Sequence, residues 1–247
     1  MKTIYILWLR QIKRYFRSKA RIIGSIGQPL LFLVALGFGM SSIFEEAGRG
    51  DYISFLSPGI ISMTILFSAV FTGIDVIWDR QFGFLKETLV SPVSRLKIMI
   101  GRTLGGATTS LFQGILVFII AIFLGFKIDW SMLPLALLFM FMIAFFFTAL
   151  GTTIGSLLRD MQGFQLIVNF LIMPIFFLSG ALFPIDSSSQ VLKSLLVINP
   201  LSYGVDGIRG VLTGQFYFSL GIGLFVFLGL IIIISTIGSY VFSKIEA

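Results

Sequence analysis

Six long stretches without a charged residue constrain this chain more than any other feature of its sequence. They cover residues 22–44, 52–74, 103–126, 130–158, 161–185 and 210–243. A helix needs roughly 20 apolar residues to cross the hydrocarbon core of a bilayer, and each stretch is long enough. The sequence therefore predicts an all-α integral membrane protein, a single transmembrane domain over residues 1–247. Its six predicted transmembrane helices lie at about 22–44, 52–74, 103–126, 132–157, 163–184 and 219–241.

The composition excludes most soluble and catalytic classes. Only 12% of the residues are charged and 57% are hydrophobic, whereas a soluble domain carries about 25% charged residues. The chain has no Cys and no His, which excludes disulfides, thiol nucleophiles and His-based acid–base catalysis. It also has no phosphate-binding loop of the Gly-Lys-Ser/Thr type. We expect neither catalytic nor metal-binding residues, and no nucleotide-binding domain.

The positions of the cations predict the topology. Fourteen of the 18 Lys and Arg residues fall before the first span, between spans two and three, between spans four and five, or after span six. Because cytoplasmic loops carry the excess of Lys and Arg, both termini are predicted to be cytoplasmic. This bias explains the net charge of +7 without nucleic acid, and it fits a multi-pass protein of the cytoplasmic membrane.

Residues 3–18 have the pattern of an amphipathic helix that lies in the membrane interface before the first span. At 100° per residue, one arc is apolar and the opposite arc is cationic. The apolar arc contains Ile4, Trp8, Ile12, Tyr15 and Phe16. The candidate functional residues of this helix are Trp8, Arg10, Lys13, Arg14 and Arg17. The helix is either a topology anchor on membrane lipids or a lever that touches a cytoplasmic partner.

The cytoplasmic loop between spans two and three, residues 75–102, is too apolar for a plain connector. Phe82, Leu85 and Leu89 fall on one face of a short predicted helix, which Pro92 ends. Apolar side chains in a cytosolic loop need a place to be buried. Two interpretations remain open from these residues: the segment folds back onto the membrane surface, or it inserts into a groove on a second protein.

Two local patterns bear on helix packing. Gly151 and Gly155 have the GxxxG spacing that lets two helices approach closely. Pro174 interrupts the fifth predicted span and is expected to kink it.

Three segments carry a resemblance to a known family. They are Phe-Gly-Phe-Leu-Lys-Glu-Thr-Leu-Val-Ser-Pro-Val-Ser-Arg at 82–95, Phe-Leu-Ser-Gly-Ala-Leu-Phe-Pro at 177–184 and Asn-Pro-Leu-Ser-Tyr at 199–203. Together, in this order, they resemble the permease subunits of ABC type-2 transporters. The chain looks closest to the drug exporters of the daunorubicin-resistance kind.

The resemblance implies a coupling helix in the loop between spans two and three, which docks onto a separate ATPase. Two copies of this ATPase would bind ATP and Mg. They would act on two copies of this chain, or on this chain paired with a similar one. The residues implied in docking are Arg80, Phe82, Gly83, Phe84, Leu85, Lys86, Glu87 and Leu89.

Between spans five and six, the resemblance implies an external re-entrant helical hairpin that closes the outer end of the transport path. Its candidate gate residues are Pro184, Pro200, Tyr203, Asp206 and Arg209. Asp206 and Arg209 are three residues apart, a spacing that allows an ion pair on one helical turn.

The predicted function is the ATP-driven export of small hydrophobic or amphiphilic substrates, such as drugs or lipids, by a permease without an ATPase site of its own. The spans are rich in Phe and poor in charge, which favours a greasy substrate. The alternatives are an exporter of polysaccharide or lipid-linked glycan in the same superfamily, an ion-coupled secondary carrier, and a membrane scaffold.

Overall fold

The computed structural model of the chain describes residues 2–48, 50–84, 93–184 and 189–244, and the regular structure in these ranges is helical. The α-helices are α1 (Lys2–Arg17), α2 (Lys19–Gly39), α3 (Ser41–Glu46), α4 (Tyr52–Phe71), α5 (Ile74–Gln81), α6 (Arg95–Phe123), α7 (Leu133–Leu157), α8 (Met161–Ile167), α9 (Met173–Phe177), α10 (Gln190–Ile198), α11 (Pro200–Thr213) and α12 (Leu220–Ser243).

Five helical stretches in the described part of the chain are long and apolar enough to cross a membrane. They are Ile22–Gly39, Tyr52–Gln81, Arg95–Phe123, Trp130–Leu157 and Leu220–Phe242. They correspond to predicted spans one, two, three, four and six, so the class of all-α membrane protein is confirmed.

The fifth predicted span is shorter than expected. Its continuous helical part is Met161–Phe177, and a π-helical turn, Val168–Ile172, lies just before Pro174. Such a turn is one way to accommodate a proline within a membrane helix. The chain then turns at Gly180, which has φ +74°, a conformation that costs glycine little. The expectation that this helix reaches residue 184 is therefore wrong.

Predicted spans two and three are longer than their uncharged stretches. The second continues through α5 to Gln81, and the third begins at Arg95 instead of residue 103. Arg102, placed in a loop by the sequence, lies within α6 and is only 4% exposed. The charge does not end the helix because Asp79 of α5 pairs with it. A hydropathy pattern cannot show such a pairing.

The helix α4 lies at the centre of the bundle and is buried along most of its length. It packs against α2, α6, α7 and α11. The helices α2 and α12 lie at the periphery, with only 17% of each membrane-length window buried. We call the end of the bundle where α1 packs on α6 the α1 end, and the opposite end, where α11 packs, the α11 end.

The GxxxG spacing in α7 produces the close packing that the sequence predicts. A Cβ atom on Gly151 would overlap the backbone of Val70, and one on Gly155 would overlap the carbonyl oxygen of Gly73. The helix α7 therefore approaches the junction of α4 and α5 backbone to backbone, a contact that only glycine permits.

Replacing Gly155 with Ala should destabilise the fold by about 1–3 kcal/mol, because the added methyl group forces two backbones apart. Gly229→Ala in α12 is the matched control, since a Cβ there meets no atom within 4 Å. That change should be neutral, or stabilising by about 0.5–1 kcal/mol. Thermal unfolding of both variants in the same detergent measures the difference. Equal losses would contradict the packing argument.

Candidate functional site

A buried pair of carboxylates organises the α1 end. The helix α5 presents Asp75 and Asp79, which are 2% and 3% exposed. Because they are four residues apart, they lie on one face of α5. Arg14 Nη2 lies 3.2 Å from Asp75 Oδ1, and Arg10 Nη2 lies 3.1 Å from Asp79 Oδ1. Arg102 Nη2 of α6 pairs with Asp79 Oδ2. We call these five residues the charge cluster.

The charge cluster ties α1 to the bundle. Arg102 is buried, whereas the side chains of Arg10 and Arg14 are 39% and 31% exposed. Trp8 Nε1 also donates to Thr108 Oγ1 of α6 at 3.1 Å. The predicted helix at 3–18 is confirmed as α1, and two of its cations face acidic residues of the bundle. The other two candidates, Lys13 and Arg17, are exposed.

Two aromatic residues, one within the predicted docking segment and one just before it, contact α1. The guanidinium of Arg10 lies 5.4 Å from the ring centroid of Phe84, and that of Arg14 lies 5.4 Å from the ring centroid of Trp78. Phe82 and Phe84 are 72% and 51% exposed. The remaining docking candidates, Leu85, Lys86, Glu87 and Leu89, lie outside the described residues, so their role stays a prediction.

Two further docking candidates have roles inside the chain. Arg80 donates to the carbonyl oxygens of Ser156 and Leu158, both at 2.8 Å. These carbonyls lie at the C-terminal end of α7, where helices leave backbone acceptors unpaired. Gly83, two residues after the end of α5, has φ +78°. Arg80 therefore connects α5 to α7, as the charge cluster connects it to α1 and α6.

At the α11 end, Arg209 is buried with its guanidinium among backbone acceptors. Its Nη2 lies 3.3 Å from the carbonyl oxygen of Phe55, 3.0 Å from that of Gly180 and 3.5 Å from that of Ala181. The guanidinium also lies 4.0 Å from the ring centroid of Phe55. Tyr52 Oη donates to the Leu182 carbonyl oxygen at 3.2 Å. The turn after α9 is thus bound to α4 and α11.

The predicted ion pair between Asp206 and Arg209 is not formed within 4.0 Å in the described structure. Asp206 instead accepts hydrogen bonds from the backbone N–H groups of Tyr217 and Phe218, at 2.7 and 2.9 Å. Both charged residues are about 95% buried. Each charged side chain is hydrogen-bonded to backbone groups that the helical spacing could not reveal.

The other gate candidates lie around α11. Pro200 occupies the first turn of this helix, where its missing N–H has no intrahelical partner to lose. Tyr203 Oη donates to the Val197 carbonyl oxygen at 2.7 Å, and its ring stacks on that of Phe218 with centroids 4.5 Å apart. Pro184 ends the described segment after α9. The structure therefore brings Tyr203, Asp206 and Arg209 together on one helix, with Pro200 at its start.

Sequence reasoning missed several residues of these two sites. Asp75 and Asp79 follow the second uncharged stretch at an i, i+4 spacing, and this spacing was the available signal for a shared face. Nothing in the local sequence identifies Arg102 as the partner of Asp79, or Phe55 as a partner of Arg209. Among the described residues, no cluster of His, Cys, Asp and Glu could hold a metal ion. The sites hold helices together through charge and hydrogen bonding.

Removing Asp79 alone should destabilise the protein more than removing both Asp79 and its buried partner Arg102. Asp79→Asn leaves Arg102 buried without a counter-charge, and breaking a buried pair in this way costs about 3–5 kcal/mol. Adding Arg102→Met to Asp79→Asn should recover part of that loss. Thermal unfolding of the single and double variants measures it. A double variant less stable than Asp79→Asn would contradict the pairing.

Arg209→Lys should destabilise the α11 end, because an ammonium cannot stack on Phe55 and reach the same carbonyls at once. Loss of a charged hydrogen bond is worth about 1.5–3 kcal/mol. The exposed Arg159 provides the same substitution as a control. We expect Arg159→Lys to melt like the wild type. Equal shifts in the two variants would refute the role given to Arg209.

Comparison with known proteins places the chain in one family. Residues 2–213 match the family model described as ABC-2 type transporter. Proteins named transport permease ycf38, from Cyanophora paradoxa and Porphyra purpurea, are 26% and 29% identical, each over 99% of this chain and 89% of the relative. Nodulation protein J of Rhizobium leguminosarum bv. trifolii is 28% identical over 85% of this chain and 79% of the relative. The chain belongs to the ABC-2 type transporter family and is the membrane subunit of an ABC transporter.

Proposed function

We propose that this chain is the permease of an exporter in the cytoplasmic membrane, driven by a separate ATPase. Two ATPase subunits bind ATP and Mg and act on two copies of this chain, or on this chain and a similar one. The permease contributes no ATPase site. Its substrates are small hydrophobic or amphiphilic molecules, drugs or lipids, as in the drug-exporter branch that its motifs resemble.

The observation that carries this proposal is the set of contacts at the start of the docking segment. Asp79 pairs with Arg10 of α1 and with Arg102 of α6. The next residue, Arg80, binds the end of α7. A displacement of the segment that follows α5 therefore acts directly on three other helices. This is the mechanical connection that a separate motor needs in order to move the spans.

The α1 end faces the cytoplasm in this proposal, as the distribution of Lys and Arg predicts. Phe82 and Phe84 are then accessible to a cytoplasmic partner. Together with Leu85 and Leu89 they fill a groove on the ATPase, and Lys86 and Glu87 set the register of docking. Arg10, which lies over the Phe84 ring, places α1 beside the docked partner.

The gate of the exporter is α11 in this proposal. This helix is buried between α4, α7 and α12, although it is too short to span the bilayer. Arg209 binds it to the turn after α9. Closing of ATPase subunits at the α1 end shifts α4 and α7, and the gate opens where α4 contacts α11.

The docking assignment is tested by Phe84→Asp, with Phe183→Asp as the matched control on the opposite side of the membrane. We expect a P-loop ATPase to co-purify in mild detergent with the wild type and with Phe183→Asp, and to be lost from Phe84→Asp. The added charge cannot enter an apolar groove without a counter-charge. All three proteins should elute identically in size-exclusion chromatography, which controls for folding.

Reconstitution completes the test. Proteoliposomes that contain the permease and this ATPase should accumulate a fluorescent amphiphile only with ATP and Mg. Transport by Phe84→Asp at the wild-type rate would overturn the docking assignment. Transport that follows an ion gradient without ATP would favour a secondary carrier, and an intact permease without any ATPase would favour a scaffold.

A further inference from the structure

The helical stretch Met161–Phe177, which we call the fifth helix, has amide side chains on a face that its own chain does not cover. A different face of this helix is buried against the bundle, through Phe164, Val168, Ile172 and Phe176. The exposed amides are three and four residues apart, so they lie on one line along the helix. We call them the amide row: Gln162, Gln165 and Asn169.

The amide row reaches the middle of the membrane. The fifth helix begins at the α1 end, where Trp78 Nε1 donates to Met161 Sδ at 2.9 Å. Asn169 is the central residue of the stretch Met161–Phe177. At 1.5 Å per residue it lies about 12 Å from either end of the helix. Water does not reach this depth on the lipid-facing side of a span.

An amide facing hydrocarbon leaves two N–H donors and one carbonyl acceptor without partners. The described residues provide no hydrogen bond to the side chain of Asn169. The exposed Thr236 of α12 differs, because its hydroxyl donates to the Ile232 carbonyl oxygen of its own helix at 2.8 Å. Polar side chains within a membrane span normally face protein or a water-filled space. A single copy of the chain therefore leaves the amide row incomplete.

A second copy of the chain offers amides at the required depth. Two copies inserted in the same direction are related by an axis along the membrane normal, so residues at equal depth can meet. One such residue is the second copy's own Asn169. Another is its Gln28, which is exposed on α2. Gln28 lies about 9 Å from Ile22, where the first span begins at the α1 end.

We infer that the amide row is the surface that binds a second copy of this chain, through hydrogen bonds between amides inside the membrane. Asn and Gln side chains associate membrane helices in this way, because the alternative is an unsatisfied polar group in hydrocarbon. Each amide offers both donors and an acceptor, so identical surfaces complement each other. The inference rests on the proposed function for the presence of two permease chains, and it adds their identity and the contact surface.

Cysteine cross-linking in native membranes tests the contact. The chain has no Cys, so each introduced cysteine is the only one. Asn169→Cys is oxidised with copper phenanthroline, alone and after co-expression with a differently tagged Gln28→Cys chain. Ile232→Cys is the control, because Ile232 is 66% exposed near the middle of α12. We expect disulfide-linked dimers from Asn169→Cys in at least one of the two pairings, and none from Ile232→Cys.

The hydrogen bonds are tested separately, by energy transfer between two fluorescently labelled populations of the permease in liposomes of decreasing protein density. Asn169→Leu should raise the dissociation constant of the dimer about three- to thirtyfold, the effect of one interhelical hydrogen bond in a membrane. Asn169→Gln retains the amide and should lose less. Phe170→Leu is the matched control, since Phe170 is 81% exposed on another face of the same helix, and it should dimerise like the wild type.

Cross-linking of Ile232→Cys as extensive as that of Asn169→Cys would overturn the inference, and so would an unchanged dissociation constant in Asn169→Leu. Labelling of Asn169→Cys by a water-soluble maleimide without any cross-link would also overturn it, because the amide row would then face water. A dimer held through another face, with the ATPase still attached, refutes this inference alone. The Asn169 contact in a permease without any ATPase partner refutes the proposed exporter and leaves the dimer surface in place.

Discussion

The carboxylate of Asp79 must be neutralised inside the protein, because it is buried at the end of a membrane-spanning helix where water cannot solvate it. Three helices meet to satisfy this requirement: α5 supplies the acid, α6 supplies Arg102 and α1 supplies Arg10. The position of α1 along α6 follows from it. An amphipathic helix held only by lipid would be free to slide and rotate, whereas α1 has a fixed register relative to the bundle.

Buried charged side chains are stabilised differently at the two ends of the bundle. At the α1 end, cations and acids neutralise one another across helices. At the α11 end, Arg209 donates to backbone carbonyl oxygens, and Asp206 accepts from two backbone N–H groups. Carbonyls and N–H groups are available there because the backbone turns after α9 and before α12, leaving groups outside any helical ladder. Between the ends, glycine contacts hold α7 against α4 and α5.

Much of this architecture could be predicted because the bilayer imposes a length and a polarity on each span. The uncharged stretches marked the spans, and the periodicity of residues 3–18 marked α1. The predicted helix limits and contacts were wrong where a residue distant in sequence, or a turn in the chain, determined the structure. Arg102 set the N-terminal limit of the third predicted stretch but lies within α6, where Asp79 neutralises it. The fifth helix ends before residue 184, since the chain turns at Gly180. The partners of Asp206 are 11 and 12 residues away, beyond the reach of a helical-turn argument.

A cavity of about 470 Å³ between α1, α2, α4, α5 and α6 shares a boundary with the charge cluster. Trp78 lines the cavity and lies under the guanidinium of Arg14, and it belongs to the same short helix as Asp75 and Asp79. Any movement of α5 caused by the proposed docking would therefore change the wall of the cavity. If such movement alters ligand affinity, linkage requires that the ligand alter the energy of the movement by the same factor. In the proposed exporter, this single helix would therefore couple an occupied cavity to the ATPase.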